Sequence, residues 1–400
     1  MSRRYDAIVV GARCAGAPTA MLLARKGYRV LLVDRVSFPS DTMSTHLLHP
    51  VAVASLARWG LLERLAATGC PPIHTYAFDF GPVVIAGTPG TPASPVSYCP
   101  RRTVLDKLLV DAAAEAGAHV REDFRVDEVV VEHGRVTGIR GHAKDAPVVT
   151  EHGRVVVGAD GRHSLVAEAV QAPKYHERAP LLCPYYAYFS DLPLDGRYEN
   201  YVLHQRGFAA APTHDGLTMV VGGWPIAQLA TFRDDVEGEW MRFPGTAPAF
   251  AERFQRAKRV TAIHGAPTPG FFRKPFGPGW ALVGDAGYLK DPITAQGILD
   301  AFRDAEATAD ALDDAFAERR TFEAAMADVQ QRRDAACLPM FEFTCQLASL
   351  EPPPPELQQL LGAIRGNREA MDGFARMNAG TISPAEWLAP ANVEAMLRSS

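Results

Sequence analysis

Paired cysteines, long basic runs and long apolar runs are all absent from this 400-residue sequence. The six cysteines are scattered and form no C-x-x-C pair, which favours reduced thiols and a cytoplasmic location over a disulfide framework. No apolar run is long enough to span a bilayer, and the first strand pattern begins close to Met1, so we expect neither a membrane span nor a signal peptide. A net charge of −5 argues against nucleic acid as the main partner.

The segment from Tyr5 to Asp34 is the most informative part of the sequence. An apolar run, AIVV, predicts a buried strand that breaks at Gly11, and a helix of small residues follows. Gly27 ends that helix, and a second buried strand ends on Asp34. This order is typical of the unit that binds the ADP half of a dinucleotide. Gly11 allows the turn, Gly16 lets the helix lie close to the sheet, and Asp34 can accept hydrogen bonds from a ribose.

The glycine loop departs from the G-x-G-x-x-G pattern at its middle position. The loop reads Gly11, Ala12, Arg13, Cys14, Ala15 and Gly16, so an arginine replaces the glycine that usually lets backbone approach phosphate. Either the arginine side chain points away from the nucleotide, or its guanidinium joins the phosphate contacts. An ordinary β-α-β crossover that happens to contain two glycines is the alternative interpretation.

The patterns further along the chain predict an α/β protein with a Rossmann-like nucleotide-binding domain, an inserted antiparallel β-sheet domain for the substrate and a helical C-terminal region. The nucleotide-binding domain is expected to comprise residues 1–75, 97–180 and 263–320, and the inserted domain residues 76–96 and 181–262. Residues 321–400 form the helical region, which could cap the active site or form a homodimer contact.

Several local patterns carry their own expectations. The string VAVASLARWGLLERLAATG predicts one helix that ends at Gly69, and a long helical region is expected from Pro292 to about Cys345. Three more helices should then complete the chain. The string EHGRV occurs at 132–136 and again at 151–155, which predicts two similar hairpin turns.

Two later strand-to-turn motifs add to the first. VVVGADGRHSLV places Gly158, Asp160, Gly161 and Ser164 after a strand, and WALVGDAGYLKDPITAQGILDAF does the same for Gly284 and Asp285. Each motif alone has an ordinary structural explanation; for Asp285 this is a helix N-cap. In this order the three segments, which span most of the first 310 residues, resemble FAD-dependent monooxygenases of the p-hydroxybenzoate hydroxylase type.

This resemblance implies that the chain binds FAD and takes electrons from transiently bound NAD(P)H. Reduced flavin then reacts with O₂ to form a C4a-hydroperoxide, which hydroxylates a small aromatic or polyketide-like compound. The cofactor-binding residues implied are Gly11, Ala12, Arg13, Cys14, Ala15, Gly16, Asp34, Arg35, Arg102, Asp160, Gly161, Gly284, Asp285, Pro292, Gln296, Gly297 and Ile298. Tyr288, Ala167 and the string AQGIL at 295–299 depart from the family pattern.

Residues near the chemistry are less clearly marked. His46 lies where this family passes close to the flavin ring, so it is a candidate proton donor, with a loop or cap histidine as the alternative. His46-x-x-His49 has ligand-like spacing without a third ligand, so no metal is expected. Lys290 and Asp291 precede the proline beside the flavin; they could lie near the chemistry, but exposed loop charges are the default expectation. Aromatic residues of the inserted domain could line the substrate pocket or could be plain core: Tyr186, Tyr188, Tyr201, Phe208 and Trp224.

Two other functions remain open at this stage. An FAD-dependent reductase or dehydrogenase of the geranylgeranyl reductase type would share the fold and the motifs. A non-catalytic binding protein, similar in fold to GDP-dissociation inhibitors, would not need the loop from Asp285 to Pro292. Halogenation is disfavoured, because the W-x-W-x-I-P string of that branch is missing and its nearest counterpart is GGWPI at 222–226.

Overall fold

The structure, a computed structural model, describes residues 4–203 and 206–398. The helices in these residues are α1 Gly16–Arg25, α2 Pro50–Arg58, α3 Leu62–Ala66, α4 Arg102–Glu115, α5 Leu165–Ala169, α6 Leu229–Asp234, α7 Val236–Arg242, α8 Pro248–Phe254, α9 Gly297–Phe316, α10 Phe322–Ala348, α11 Pro355–Ala363, α12 Arg368–Asn378, α13 Pro384–Trp387 and α14 Pro390–Arg398. Short 3-10 turns at Gly284–Ala286 and Pro292–Thr294 lie just before α9.

The strands alternate with these helices in the first part of the chain and dominate its middle. They are β1 Tyr5–Val10, β2 Val30–Val33, β3 Pro72–Ile73, β4 Thr75–Asp79, β5 Val84–Gly87, β6 Ser97–Tyr98, β7 His119–Arg121, β8 Phe124–Glu132, β9 Arg135–Ala143, β10 Val149–Gly158, β11 Lys174–Arg178, β12 Leu182–Ser190, β13 Arg197–Leu203, β14 Arg206–Pro212, β15 Thr218–Pro225, β16 Lys258–Arg259, β17 His264–Gly265, β18 Gly270–Arg273, β19 Phe276–Gly277, β20 Trp280–Leu282 and β21 Tyr288–Leu289.

The first sheet has the strand order β19-β20-β10-β1-β2-β7, and its central pairs are parallel. Its strands are apolar on both sides because both faces are covered. Helices α1, α4 and α9 share one hydrophobic cluster with one face, while α5 and the β8–β9 hairpin cover the other. The register pairs Val10 with Gly158 and with Val33, and Gly158 with Leu282. The loops that follow β1, β2, β10 and β20 therefore leave the same edge of the sheet.

The second sheet has the order β16-β12-β15-β14-β13-β4-β5, with β17 paired to β12. Its pairs are antiparallel except that of β13 with β4. Alternate side chains of its strands point to two separate clusters. The inner cluster joins the sheet to the C-terminal helices through residues such as Tyr198 and Phe374, and the outer cluster lies under α6, α7 and α8.

The predicted fold class is confirmed: a Rossmann-like α/β part, an antiparallel sheet and a helical C-terminal region are all present. The sheet order places β4 and β5 beside the strands of residues 182–265. The boundaries of the domains and their roles stay a prediction.

Three local expectations were wrong. The segment after His49 forms two helices, because Gly60 adopts φ +73 between them. Four helices follow Pro353 in the described part of the chain, where three were expected. The long helical region expected after Pro292 is present and consists of α9 and α10, with Glu318 at φ +56 between them.

The second EHGRV string is not a turn. The first copy does turn, with His133 at φ +49 and Gly134 at φ +75. The second copy lies inside β10, which pairs with β9 at its start and with β1 at its end. A Cβ at Gly153 would lie 3.1 Å from the Ile8 side chain, so the glycine in this copy serves close packing within the sheet.

Candidate functional site

Three loops meet at the carboxyl edge of the first sheet. Gly11 adopts φ +99, and a Cβ there would lie 2.4 Å from the carbonyl oxygen of Ala159 in the loop after β10. A Cβ at Gly16 would lie 1.8 Å from the carbonyl oxygen of Gly11. A Cβ at Gly284, in the loop after β20, would lie 2.8 Å from the Cβ of Ala15. The glycines thus allow a backbone packing that no larger residue permits.

The start of α1 is prepared for an anion. The helix has no side-chain cap and no acidic residue in its first turn. The first amides of any helix lack intrahelical acceptors, and they carry a partial positive charge. Among the described residues, no acceptor pairs with the backbone N–H groups of Arg13, Cys14 or Ala15. A pyrophosphate is the kind of group that satisfies such amides.

Asp34 fastens the glycine loop from the end of β2. Its carboxylate accepts hydrogen bonds from the backbone N–H of Ala12 at 2.7 Å and of Val36 at 3.1 Å. Asp34 stays half-buried, and the neighbouring Arg35 is exposed. Because a carboxylate offers about four lone-pair sites, two of them remain for a ribose.

Arg13 points away from the amides of the loop. Its guanidinium donates to Asp106 at 2.6 Å and to the carbonyl oxygen of Ser40 at 3.2 Å, and it lies 5.3 Å from the ring centre of Phe38. The sequence left open whether this side chain points away from the nucleotide or joins the phosphate contacts. The structure supports the first, because the guanidinium binds protein groups. The backbone of the loop is left free to approach a phosphate.

Arg102 meets the same carboxylate from α4. Its Nε and Nη2 donate to Asp106 at 2.9 and 3.0 Å, and the Cys14 thiol donates to Asp106 at 3.3 Å. Burial raises the pKa of Cys14, so this thiol stays protonated. Burial by itself lowers the pKa of Arg102, but the negative groups around it, Asp106 among them, raise it overall. Arg102 is therefore a fixed cation, and its charge is felt by Asp285.

The middle motif caps a helix. Asp160 accepts from the Ser164 hydroxyl at 2.5 Å and from the backbone N–H of Val166 at 3.3 Å. Ser164 in turn accepts from the N–H of Ala167 at 2.9 Å, which makes it the N-cap of α5. Burial raises the pKa of Asp160. Gly161 adopts φ +80 with open space around it, so this loop can approach the cofactor without a clash.

The carboxylate of Asp285 is exposed to water but lies within a cleft. Among the described residues it forms no hydrogen bond or ion pair, and Val283 rather than Asp285 is the N-cap of the 3-10 turn. The protein around it raises its pKa by desolvation, which the charge of Arg102 opposes. These two facts fit a carboxylate that water can reach but that lies within a cleft. It can therefore accept hydrogen bonds from the hydroxyl groups of a ligand.

The segment from Pro292 to Ile298 joins this cleft to the C-terminal helices. Ala295 adopts φ +52, and the amide of Gln296 donates to the carbonyl oxygen of Asn378 at 2.9 Å. Ile298 is buried, whereas Gly297 is exposed, and a Cβ there would have no neighbour within 4 Å. At Gly297 the amino-terminal end of α9 therefore borders open space, while the next residues of its first turn are buried.

These features together fit FAD. The loop from Gly11 to Gly16 would hold the pyrophosphate, Asp34 the ribose and Asp285 the ribityl hydroxyls. The open N-terminus of α9 would lie near the flavin ring. Among the described residues, no group of three or more His, Cys, Asp or Glu could hold a metal ion, and no helix is long and apolar enough to cross a membrane.

His46 is fully buried, with both ring nitrogens engaged. Nδ1 lies 2.6 Å from the carbonyl oxygen of Ser44, and Nε2 lies 2.6 Å from the hydroxyl of Tyr188. Burial lowers the pKa of His46 to about 4, so the ring is neutral near pH 7. Since the carbonyl can only accept, Nδ1 carries the proton and Tyr188 donates to Nε2. This geometry supports a role in positioning Tyr188 more than one in donating a proton.

The five candidate aromatic residues divide between the two faces of the second sheet. Tyr186 and Tyr188 lie on the inner face against His46, with ring centres 5.4 and 5.7 Å away. The side chains of Tyr201, Phe208 and Trp224 belong to the outer cluster. Tyr201 and Phe208 stack at 4.4 Å, and Trp224 packs 4.1 Å from Phe232. Tyr186 and Tyr188 thus remain candidates beside His46, and Tyr201 and Phe208 remain candidates because both also line the cavity described below. The Trp224 side chain is packed in the outer cluster.

The expectation of exposed loop charges at Lys290 and Asp291 was wrong. Lys290 is 6% exposed and forms an ion pair with Asp300 of α9. Asp291 is 8% exposed, and its Oδ1 accepts from the backbone N–H of Ile293 at 3.0 Å. The second oxygen, Oδ2, is buried and has no partner. Burial raises the pKa of Asp291 to about 7.

A cavity of about 560 Å³ lies between the inner face of the second sheet and the C-terminal helices. It is bordered by the turn from Asp291 to Ala295, and other parts of its wall come from Phe343, Leu361 and Trp387. Its volume is typical of small-molecule sites. Sequence reasoning named Tyr201 and Phe208 of its wall and allowed the C-terminal helices to cap the active site. It could not locate the cavity itself, because its walls come from segments far apart in the chain.

Comparison with known proteins identifies the family of this chain. A family model described as FAD binding domain matches residues 4–327. Protein FixC of Salmonella typhi is 33% identical over 178 residues, which are 42% of this chain and 40% of FixC, so the matched part spans less than half of that relative. Digeranylgeranylglycerophospholipid reductase of Methanocella arvoryzae is 27% identical over 325 residues, 75% of each chain.

Solved structures support the fold. The myxobacterial chondrochloren halogenase CndH superposes with a TM-score of 0.81 at 22% identity, covering 94% of this chain and 99% of that one. At this identity the likeness establishes the architecture and not the reaction.

Proposed function

Because this chain belongs to the FAD-binding-domain family, we propose that it is an FAD-dependent monooxygenase that acts on a small aromatic or polyketide-like compound. In this reaction NAD(P)H and a proton supply the reducing equivalents, one oxygen atom of O₂ enters the substrate and the other leaves as water. The observation that carries the proposal is the apolar cavity that reaches the turn from Asp291 to Ala295, directly before the open end of α9.

Each part of the site has a task in this proposal. Bound FAD supplies the redox chemistry, and the protein supplies binding, orientation and electrostatics. The amides after Gly11 bind the pyrophosphate, and Asp285 orients the ribityl chain. The amino-terminal end of α9 stabilises negative charge that develops near it. The cavity holds the substrate against that end and keeps water out, which protects reactive intermediates from side reactions.

Buried polar groups next to the cavity give it a fixed shape. His49 accepts a hydrogen bond from the Tyr76 hydroxyl at Nδ1 over 2.8 Å, and its Nε2 donates to the carbonyl oxygen of Thr294 over 3.1 Å. Burial lowers the pKa of His49 to about 4, so this chain of bonds joins neutral groups. Such a satisfied network rigidifies its surroundings. It thereby holds the turn before α9 in one position relative to the sheet.

The proposal is tested with purified protein that retains FAD. We expect the protein to absorb at flavin wavelengths, to oxidise NADH or NADPH faster when a substrate is present, and to consume one O₂ for each hydroxylated product. The readouts are an oxygen electrode and mass spectrometry with ¹⁸O₂. Product that lacks the heavy isotope would contradict oxygenation.

A reductase is the second candidate, and one observation favours it. The match to Digeranylgeranylglycerophospholipid reductase covers 75% of this chain, and an apolar cavity would also suit a lipid-like alkene. The two functions separate under anaerobic conditions. A reductase would still consume electrons from reduced FAD when the substrate is added, whereas a monooxygenase would leave the substrate unchanged.

A further inference from the structure

The charged residues in the cavity wall restrict the charge of a ligand that can bind there. The described residues that line it include no lysine and no arginine, but they include two acids, Asp291 and Glu351. Glu351 is exposed, so water screens it, whereas Asp291 is buried. An anionic substrate would therefore meet a buried acid without any cation to pair with. Placing such a charge in a low-dielectric site is costly unless it is paired.

Most other polar groups of the wall near α9 already have partners. His49 pairs with Tyr76 and Thr294, and the Thr294 hydroxyl lies 2.9 Å from that of Thr344. Asp291 differs, because its Oδ2 is buried and unpaired. A buried acceptor without a donor costs free energy, and a ligand that brings the donor recovers it. Burial raises the pKa of Asp291 to about 7, as is usual for a carboxyl group that is removed from water without a charged partner.

Part of the cavity wall lies outside the family match. That match ends at residue 327, whereas Phe343, Leu347, Leu361, Phe374 and Trp387 all line the cavity. These side chains are apolar or aromatic. This part of the wall therefore favours a ligand with an apolar body.

We propose that the cavity selects a neutral, largely apolar molecule that carries a hydrogen-bond donor, such as a phenol or an aryl amine, and that Asp291 is the residue that recognises this donor. The inference rests on the proposed function, since it assigns the substrate class of the same site. It excludes aromatic carboxylates and phosphate esters from the cavity. Asp291 has a specificity role here, because it binds the substrate without taking part in the redox step.

The test compares four ligands that share one ring system: 2-naphthol, 2-naphthylamine, 2-methoxynaphthalene and 2-naphthoate. Binding to the FAD-loaded protein is measured without NAD(P)H, from the change in flavin absorbance and from displacement of Nile red. We expect the two donors to bind about tenfold more tightly than the methoxy compound, and the carboxylate to bind most weakly. Since no turnover is needed, this result does not depend on whether the protein is a monooxygenase or a reductase.

Two amide variants complete the test. Asp291→Asn keeps the size of the side chain and can still cap the turn, because asparagine is as good an N-cap as aspartate. In this variant 2-naphthol and 2-naphthylamine should bind less than threefold more tightly than 2-methoxynaphthalene. The variant should also bind 2-naphthoate more tightly than the wild type does. Glu351→Gln removes the other acid of the same wall and should leave both preferences unchanged.

Three results would overturn the proposal. These are tight binding of 2-naphthoate to the wild type, an unaltered preference in Asp291→Asn, and binding of none of the four compounds. An intact Asp291→Asn fold, checked by thermal unfolding and by retention of FAD, separates loss of recognition from loss of structure.

Discussion

At the scale of single residues, the candidate site contains a carboxylate, that of Asp285, which has no hydrogen-bond partner among the described residues. Asp285 is exposed and unpaired in a cleft, while Asp106 and Asp160 are fully engaged within the protein. In the free protein water can reach this carboxylate and take the place of a partner. A ligand that donates hydrogen bonds to it replaces that water, so we expect Asp285 to contribute to binding and not to folding.

Replacing Asp285 with alanine should weaken FAD binding by about ten- to a hundredfold, since a hydrogen bond to a charged group contributes about 1.5–3 kcal/mol. The stability of the cofactor-free protein should not fall. Quenching of flavin fluorescence gives the Kd, and urea unfolding gives the stability. Asp234→Ala, which alters another exposed aspartate on α6, is the matched control and should change neither quantity. An unaltered Kd for Asp285→Ala would contradict the assignment.

The residues whose role follows from local rules could be predicted from the sequence. Gly11 and Gly16 were identified because a tight turn and a close helix require them, and the structure shows the contacts that forbid a side chain. The direction of Arg13 could not be predicted, because its partner Asp106 lies 93 residues further along the chain. Which of the candidate aromatic residues border the cavity could not be predicted for a similar reason, since the face of a strand depends on its register with its neighbours.

At the scale of elements, α9 links the cleft to the core. Its Asp304 accepts a hydrogen bond from the backbone N–H of Gly284 at 3.0 Å, which fixes the turn that carries Asp285. Asp304 is 6% exposed. Burial raises its pKa to about 7, although the charge of Arg333 opposes this shift. The helix therefore holds the turn through a carboxyl group that is costly to ionise.

The stability of the cofactor-free protein should fall as the pH rises from about 4 to about 7. The reason is that Asp304 binds its proton more tightly in the folded than in the unfolded chain, where its pKa is about 3.9. Above pH 7 this contribution should be constant. Asp304→Asn should remove up to about 4 kcal/mol of that pH dependence. Urea unfolding at several pH values measures it.

The pKa of Asp291 is raised over the same range, and the pKa values of Asp160 and Asp285 are also raised. The wild-type slope therefore contains contributions of the same sign from these groups as well as from Asp304. Asp234→Asn should leave the slope as in the wild type. A slope in Asp304→Asn that equals the wild-type slope would show that Asp304 has an ordinary pKa in the folded protein.

Whole elements were predicted well where one pattern covers one element. The strand, turn and helix at Tyr5–Arg25 follow from apolar periodicity and glycine position, and the structure confirms them. The second EHGRV string shows the limit of this reasoning. The same five letters form a turn at 132–136 and continue a strand at 151–155, because pairing with β1 and β9 overrides local preference.

At the scale of the molecule, the inner cluster connects the second sheet to the C-terminal helices. Phe374 of α12 lies 4.9 Å from Phe78 of β4 and 5.4 Å from Trp387 of α13, measured between ring centres. The amide of Gln296 reaches the end of α12 as well. The cavity is thus closed by the same contacts that attach the C-terminal helices to the rest of the chain.

Phe374→Ala should destabilise the protein by about 3–5 kcal/mol, because it removes a buried aromatic ring from this cluster. Affinity for FAD should change little, since the ring lies in the inner cluster and not in the loops that would hold FAD. Chemical unfolding and a flavin titration test the two statements. Leu397→Ala, at a side chain that is 48% exposed, should stay within about 0.5 kcal/mol of the wild type. Loss of FAD affinity together with stability would mean that the two regions fold as one unit.

Asp106 receives two guanidinium groups, from Arg13 and Arg102, on one fully buried carboxylate. That arrangement makes the three positions interdependent over evolutionary time. Where a homologue restores glycine at position 13, its carboxylate at 106 loses one of two counter-charges, and the segment around Ser40 loses its tether. Aligned homologues should therefore show positions 13 and 106 changing in concert, while Arg102 is kept wherever the carboxylate is.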